Sequence, residues 1–388
     1  MRRTAMALAA IGVAATLAVT GCSSSGKKNN TGGNTPPSTS SSTPTASVSP
    51  TDTTSSSPAA LDGKGAKVGI ILPDTTSSPR WVTADPTALA ADCKKDNLNC
   101  DIQNAGGSAT KMKSIANQME AAGVKALMIV DLDQASGAAI EQQAKKDGLV
   151  VVDYDRLTSG GSASYYVSFD NTKVGEMQGT ALTQCPQVKG QSKVQYVDID
   201  GAPTDNNATL FAQGYDSVLS KTPGWTRVGK QTGNWDGPTA GRVFNSMLGK
   251  NPNIKAVMVA NDTMAGAVIT DLTRQHLNGK VAVSGQDASA AGLQQIMSGN
   301  QCFTIYKPSS SEAGPAIDAI TNLLNGTPPA TNGTTKDPMT GKEVPSILAT
   351  PTVVTIANVA APINAQYTPK KTVCVGAYVA LCAKNGVK

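Results

Sequence analysis

Short, nearly continuous apolar runs recur along this chain at 67–72, 126–131, 149–154, 194–199, 256–260 and 281–284. They are rich in β-branched residues and lack the strict alternation of a half-exposed strand, so they predict parallel strands covered on both faces. Between them, 110–122, 134–147, 171–184, 262–275 and 288–298 carry apolar or small residues at helical spacing and predict helices. Strand and helix alternate, and the order repeats. The pattern predicts an α/β fold class, and a body running from about Leu61 to Lys388 is long enough for two lobes.

The first sixty residues follow a different pattern. An apolar run from Ala5 to Thr20 follows Arg2 and Arg3 and is shorter than the roughly 20 residues of a spanning helix, as in a signal peptide. It ends in Val19-Thr20-Gly21-Cys22, small residues before a cysteine. That arrangement marks a bacterial lipoprotein signal over 1–21, with Cys22 the lipidated first residue of the mature chain, held at the outer face of the cell membrane. From Ser23 to about Asp62 the chain is Ser, Thr, Pro, Gly and Asn with almost no bulky apolar residues. Such a stretch cannot bury enough surface to fold, so 22–61 is expected to be a disordered tether.

Loss of Arg2 and Arg3 with the signal takes the formal charge from +5 to +3. No block of Lys and Arg stands out, so the composition argues against a nucleic-acid partner. Behind Cys22 stand six cysteines: Cys93, Cys100, Cys185, Cys302, Cys374 and Cys382. An even set in an exported chain predicts three disulfides. Cys93 with Cys100 and Cys374 with Cys382 are close in sequence, which leaves Cys185 with Cys302 by elimination. With one histidine, His276, and no Cys-x-x-Cys pair, no metal site is expected, and His276 is expected at the surface of a helix.

Polar residues gather where the predicted strands end. They are Asp74; Asp153, Asp155 and Arg156; Asp198 and Asp200; Asn261 and Asp262; Gln286 and Asp287. Doubly wound sheets bind ligands at the carboxyl ends of their strands. Any one such residue can simply cap the next helix, and that reading is preferred for Asp131, Asp170 and Asp262. The set as a whole predicts one crevice. There is no G-x-G-x-x-G after the first strand, no G-x-x-x-x-G-K-[ST] and no G-x-S-x-G, so neither a cofactor nor an enzymatic activity is expected.

Asp, Asn and Arg pair with adjacent hydroxyls, and an aromatic face covers the C–H side of a pyranose, so the crevice chemistry suits a sugar. Trp81, in PRW at 79–81, and Trp235, in GNWDGP at 233–238, stand in polar, turn-rich contexts. Trp225 reads as a packing residue.

Six segments in order carry a family resemblance: VVDYDR at 151–156, YYVSFDNTKVGEMQGTAL at 165–182, GAPTDNNATLFAQG at 201–214, VANDTMAGAVI at 259–269, SGQDAS at 284–289 and TIYKP at 304–308. From about Val68 to Asn358 the chain resembles the periplasmic sugar-binding proteins of type I fold, most of all the D-xylose-binding proteins of ABC importers. The resemblance implies two doubly wound parallel-sheet lobes joined by a three-strand hinge. It implies lobes at 62–165 plus 308–348 and at 166–307 plus 349–388, with crossings near 163–168, 307–309 and 346–351.

The ligand-binding residues it implies are Arg80, Trp81, Asp155, Arg156, Asn207, Trp235, Asn261, Asp287 and Lys307. Asp155 and Asp287 would accept from hydroxyls, and Arg80, Arg156 and Lys307 would donate. Asn207 and Asn261 would do both, and the two tryptophans would supply walls. The implied partners are a monosaccharide, D-xylose first, and the membrane permease of an ABC importer, with the protein a monomer. The alternative is a sensory lipoprotein that presents sugar to a receptor kinase. VDLDQAS at 130–136, the Thr-, Gly- and Pro-rich stretch 327–343, and the tail from Thr372 depart from the family pattern.

Overall fold

The computed structural model describes residues 61–388. The expected signal 1–21, the lipid acceptor Cys22 and the tether 22–61, but for Leu61, lie outside the described residues.

The first sheet forms from β1 (Lys67–Leu72), β2 (Asn99–Asn104), β3 (Ala126–Ile129), β4 (Val150–Tyr154) and β5 (Tyr165–Phe169), all parallel, in spatial order β5-β4-β3-β1-β2. Helices α1 (Ala84–Lys95), α2 (Ala109–Ala121) and α3 (Gln134–Lys146) make the crossovers. Burial explains the composition: every residue of β3 and all but the first of β1 and β4 are sealed off, as strands between two helical layers must be.

The chain then leaves this sheet for α4 (Asn171–Thr183), α5 (Asn206–Leu219), α6 (Gly237–Lys250), α7 (Asp262–Arg274) and α8 (Ala290–Met297). These helices alternate with a second parallel sheet of β6 (Val194–Asp200), β7 (Trp225–Thr232), β8 (Ile254–Val259) and β9 (Ala282–Val283), in order β7-β6-β8-β9. Each of these five helices opens on a side-chain cap, from Asp170, Asp205, Asp236, Asn261 and Ser289 in turn. Each cap oxygen accepts one of the backbone N–H groups that a first turn leaves unpaired.

After β10 (Phe303–Tyr306) the chain returns through α9 (Ser310–Leu324) to the first lobe, where β11 (Gly333–Lys336) and β12 (Glu343–Ala349) extend the first sheet beyond β5. The stretch 327–343 thus becomes an edge hairpin. β13 (Thr352–Thr355) goes back to pair antiparallel with β10, and α10 (Ala361–Asn364), α11 (Lys370–Val373) and α12 (Tyr378–Lys384) close the chain against α8. The architecture is a type I periplasmic binding protein fold with three crossings. The first crossing follows Phe169, so Tyr166–Phe169, expected in the second lobe, belong to the first sheet. β5 is buried along its whole length and pairs with β4 and β12, which only the sheet interior permits.

Three disulfides form, Cys93–Cys100, Cys185–Cys302 and Cys374–Cys382. The second ties the end of α4 to the start of β10, and the third braces the tail. In the second lobe α4 and α5 meet backbone to backbone. A methyl group on Gly175 would stand 2.1 Å from the carbonyl oxygen of Phe211, so only glycine allows this approach. The close contact holds α5 by its middle turns, Phe211 to Gly214, and its first turn carries Asn207 to the cleft.

Two cap expectations change. Asp133, not Asp131, caps α3, accepting from Ser136 N at 2.9 Å. Asn261 caps α7, and Asp262 is its first residue. Asp262 is instead a buried tie, accepting from Ser289 N, Gln301 Nε2 and Thr304 Oγ1 at 2.8, 2.7 and 3.1 Å. Asp170 caps α4 as expected. His276 is exposed, just past the end of α7, at a positive φ of 58°.

Candidate functional site

Each of the nine residues implied by the resemblance sits on a segment at or beyond the carboxyl end of a strand. Arg80 and Trp81 stand on a 3-10 turn (Pro79–Val82) beyond β1, Asp155 and Arg156 directly after β4, and Asn207 on the first turn of α5 beyond β6. Trp235 lies between β7 and α6, Asn261 between β8 and α7, Asp287 after β9, and Lys307 directly after β10 on the second crossing. All nine line one slot between the lobes, joined by Ser77, Ser78, Asp205, Phe211 and Gln286. The empty volume is ≈ 320 Å³ counting its mouth. This is a tight site at the small end of ligand pockets, sized for one small molecule.

Three of the nine are held at positive φ: Asp155 at 62°, Trp235 at 57° and Asp287 at 90°. Non-glycine residues persist there only where the surrounding structure over-determines them. Asp155 N bonds Val167 O at 2.8 Å and Asp287 N bonds Ile305 O at 2.8 Å. The Trp235 indole lies over Gly201, where a methyl group would stand 2.0 Å from its ring.

The lobes touch through the site itself. Arg156 Nε of the first lobe pairs with Asp205 Oδ2 of the second at 3.0 Å, and Trp235 Nε1 donates to the same oxygen at 3.1 Å. Asn207 Nδ2 donates to Asp155 O at 2.9 Å. Asn261 Nδ2 donates to Ser77 O at 2.9 Å while its oxygen caps α7. Asp205 and Asn261 therefore serve at once as helix caps and as clasps across the cleft.

Arg80 differs from the donor role expected of it. Its Nε and Nη2 bind Asp85 at 2.8 and 2.6 Å, its Nη1 binds Asp155 Oδ2 at 2.9 Å, and Nη2 also meets Glu312. The planar fork is saturated by three carboxylates, so Arg80 positions Asp155 and braces Trp81, whose ring centre lies 4.5 Å from its guanidinium carbon. The amides of Asn207 and Asn261 are similarly engaged with protein. Lys307 Nζ lies 3.7 Å from Asp155 Oδ2 and 3.6 Å from Asp287 Oδ1, close enough to pair electrostatically and too long to be hydrogen bonds.

Burial pushes the Asp155 carboxyl up, but Lys307, Arg80 and Arg156 outweigh it and hold the group below its ordinary range. Asp155 is therefore a fixed anion. Glu312 is pushed up to about 8 by burial, against the pull of Arg80. Asp131, expected as a cap, is pushed up to about 8 by burial despite Arg156 nearby; its carbonyl accepts from Arg156 Nη1 at 2.8 Å. Among the described residues no cluster of His, Cys, Asp and Glu is arranged to hold a metal ion, and no helix is long and apolar enough to cross a membrane.

Gln286 joins the slot as the strand-end set predicts, and four lining residues escaped the sequence reading. Asp205 and Phe211 lie within the segment 201–214, so position alone could have flagged them. Ser77 and Ser78 carried no signal. Trp225 lies on β7, packed against Tyr196 at 5.7 Å between ring centres, away from the slot.

A two-lobed α/β fold with a polar, aromatic-walled slot at the strand ends of both lobes defines an extracytoplasmic solute-binding protein of type I. The chain belongs to the periplasmic binding protein domain family, whose model matches residues 68–328. It is 34% identical over 307 residues to the D-xylose-binding periplasmic protein of Escherichia coli, covering 77% of this chain and 90% of that one. It is 29% identical to the multiple sugar-binding periplasmic receptor ChvE of Rhizobium radiobacter, covering 78% and 90%. A carbohydrate transporter solute-binding protein from Chloroflexus aurantiacus, solved in complex with D-glucose, superposes with a TM-score of 0.70 at 28% identity, covering 79% of this chain and 97% of that one. These relatives are binding proteins, not enzymes.

Proposed function

We propose that this chain is the lipid-anchored sugar-binding subunit of an ABC importer, which closes on one monosaccharide, D-xylose first, and delivers it to a membrane permease. The observation that carries the reading is the slot: nine residues from seven segments and both lobes, acidic, basic and aromatic, around a space for one small ring. The sugar-binding relatives support a sugar, and D-xylose rests on the Escherichia coli protein.

The roles follow from which groups the protein leaves available. Asp287 accepts from sugar hydroxyls. Lys307 and Arg156 donate. Trp81 and Trp235, with Phe211 packed edge-on against Trp235 at 6.4 Å, cover the C–H faces of the ring. Arg80, Asn207 and Asn261 set the geometry of these groups and of the closed cleft. Closure matters to delivery because a permease can distinguish loaded from empty protein only by preferring one lobe arrangement. The membrane attachment rests on Val19-Thr20-Gly21-Cys22, and the protein acts as a monomer.

Titration calorimetry of the full chain against D-xylose, D-glucose, D-ribose and L-arabinose tests this. One-to-one binding at micromolar strength or better, roughly −8 kcal/mol or more, is expected for D-xylose, lost in Asp287→Ala and Trp235→Ala. Absence of heat with all four sugars would remove the sugar assignment. Incorporation of labelled fatty acid, abolished by Cys22→Ala, tests the anchor. A second reading, a receptor that presents sugar to a sensor kinase, draws support from the Rhizobium relative, which is named a receptor. A deletion strain that still imports D-xylose but no longer responds to it would decide for that reading.

A further inference from the structure

Three buried side-chain atoms around the slot have no hydrogen-bond partner among the described residues: Ser78 Oγ, Trp81 Nε1 and Gln286 Oε1. Their residues are 5%, 3% and 2% exposed. A polar atom shut away from water without a partner is costly, and a concentration of such atoms around one slot needs a reason. Ser78 occupies the position that caps the 3-10 turn Pro79–Val82, yet its side chain makes no capping bond. Gln286 lies between Gly285 and Asp287, with its backbone carbonyl accepting from Asp262 N at 3.0 Å, so the backbone is anchored and the side-chain oxygen is left over. Neither side chain has a structural task that uses its polar group.

We propose that Ser78 and Gln286, one from each lobe, are hydrogen-bonding residues of the sugar site and determine which hydroxyl pattern the closed slot accepts; this rests on the reading of the slot as a monosaccharide site. Ser78 adjoins Ser77, whose carbonyl takes the Asn261 amide across the cleft, and both serines line the slot. Gln286 adjoins Asp287 and supplies a neutral amide beside a carboxylate. A hydroxyl on the ring that reaches either residue gains a partner. A ring lacking that hydroxyl fills the slot and leaves the amide or the serine buried and unpaired. Sites of this kind discriminate strongly, because the penalty falls on the wrong ligand. The unpartnered indole N–H of Trp81, which also lines the slot, adds a donor, so Trp81 is a polar contact as well as a wall.

The test is calorimetry of the full chain with D-xylose, D-glucose and the monodeoxy analogues of each, for wild type, Gln286→Met and Ser78→Ala. Each variant is expected to bind the preferred sugar about tenfold more weakly, a cost of one lost hydrogen bond, and to lose nothing further against the one deoxy analogue that lacks the partner hydroxyl. Thermal midpoints are expected unchanged or raised, since these atoms bond to no other part of the protein. Wild-type affinity ratios across all analogues in both variants would overturn the inference while leaving the sugar site standing. Failure of the wild type to bind any of the sugars would overturn the sugar reading and this inference together. Should Gln286→Met not fold, Ser78→Ala, which removes a single atom, decides alone.

Discussion

Arg156 and Asp205 form an ion pair at 3.0 Å across the cleft, with side chains 8% and 4% exposed. The two lobes are thus joined by a charge contact that water hardly reaches. Asp205→Ala would leave Arg156 buried beside Asp131 with its partner gone. Removing one member of a buried, hydrogen-bonded pair typically costs 2–5 kcal/mol. The variant is expected to bind sugar at least tenfold more weakly, and its radius of gyration with ligand, measured by small-angle scattering, to stay nearer that of the open form. Unchanged affinity would show that the pair does not hold the closed state.

Gly201 carries the indole of Trp235. Because a methyl group there would lie 2.0 Å from the ring, Gly201→Ala is expected to displace Trp235, costing about 1–3 kcal/mol of stability as overpacking does. Sugar affinity should fall with it. Tryptophan fluorescence reports the displacement directly, and an unmoved spectrum would contradict it.

Acid is expected to stabilise the protein. Burial pushes Asp262 up to about 7, partly offset by hydrogen bonds from Gln301 and Ser289, and pushes Asp131 up to about 8, both from an ordinary 3.8. A carboxyl whose folded-state value is raised binds its proton more tightly when folded, so its contribution is full below pH 4 and lost as pH rises through about 7 to 8. Asp155, lowered, works in the opposite sense, but its window lies below pH 4. The thermal midpoint should therefore be higher at pH 5.5 than at pH 8, and Asp262→Asn should flatten part of that slope. A midpoint that rises from pH 5.5 to pH 8 would refute this account.

The Cys185–Cys302 bridge spans a sequence separation of 117. By loop entropy its removal costs about 4–5 kcal/mol. A Cys185→Ala, Cys302→Ala double variant should show that loss in urea unfolding, whereas removal of Cys374–Cys382, spanning 8 residues, should cost about 2–3 kcal/mol.

Most strands legible in the sequence were ones buried on both faces, although β5, equally buried, was missed because three of its five residues are aromatic and one is a serine. β1, β3, β4, β6, β8 and β9 announced themselves as apolar runs because helices cover them above and below. β2 and β7 did not. They are edge strands, half-exposed along most of their length, and their polar residues obscure the strand pattern. α9 was hidden by Pro315 within it and by the alanines and glycine that let it pack against α1 and the first sheet. The site was legible through motifs, because strand-end residues stay in fixed register to the strands that carry them. What the motifs did not give was how each side chain is engaged. Nothing in the sequence assigns Arg80 to Asp85 and Glu312, since Glu312 arrives from the far side of the second crossing, 232 positions away.

Lys307 has a mechanical consequence through its place on the crossing between β10 and α9. Its ammonium stands almost equally far from Asp155 of the first lobe and Asp287 of the second. Asp287 travels with β10, because its backbone N–H bonds Ile305 O, so parting the lobes would separate the ammonium from Asp155 and not from Asp287. The crossing thus carries a charge that belongs to the second lobe at all times and is lent to the first, where Arg80 already holds Asp155, only while the cleft is shut.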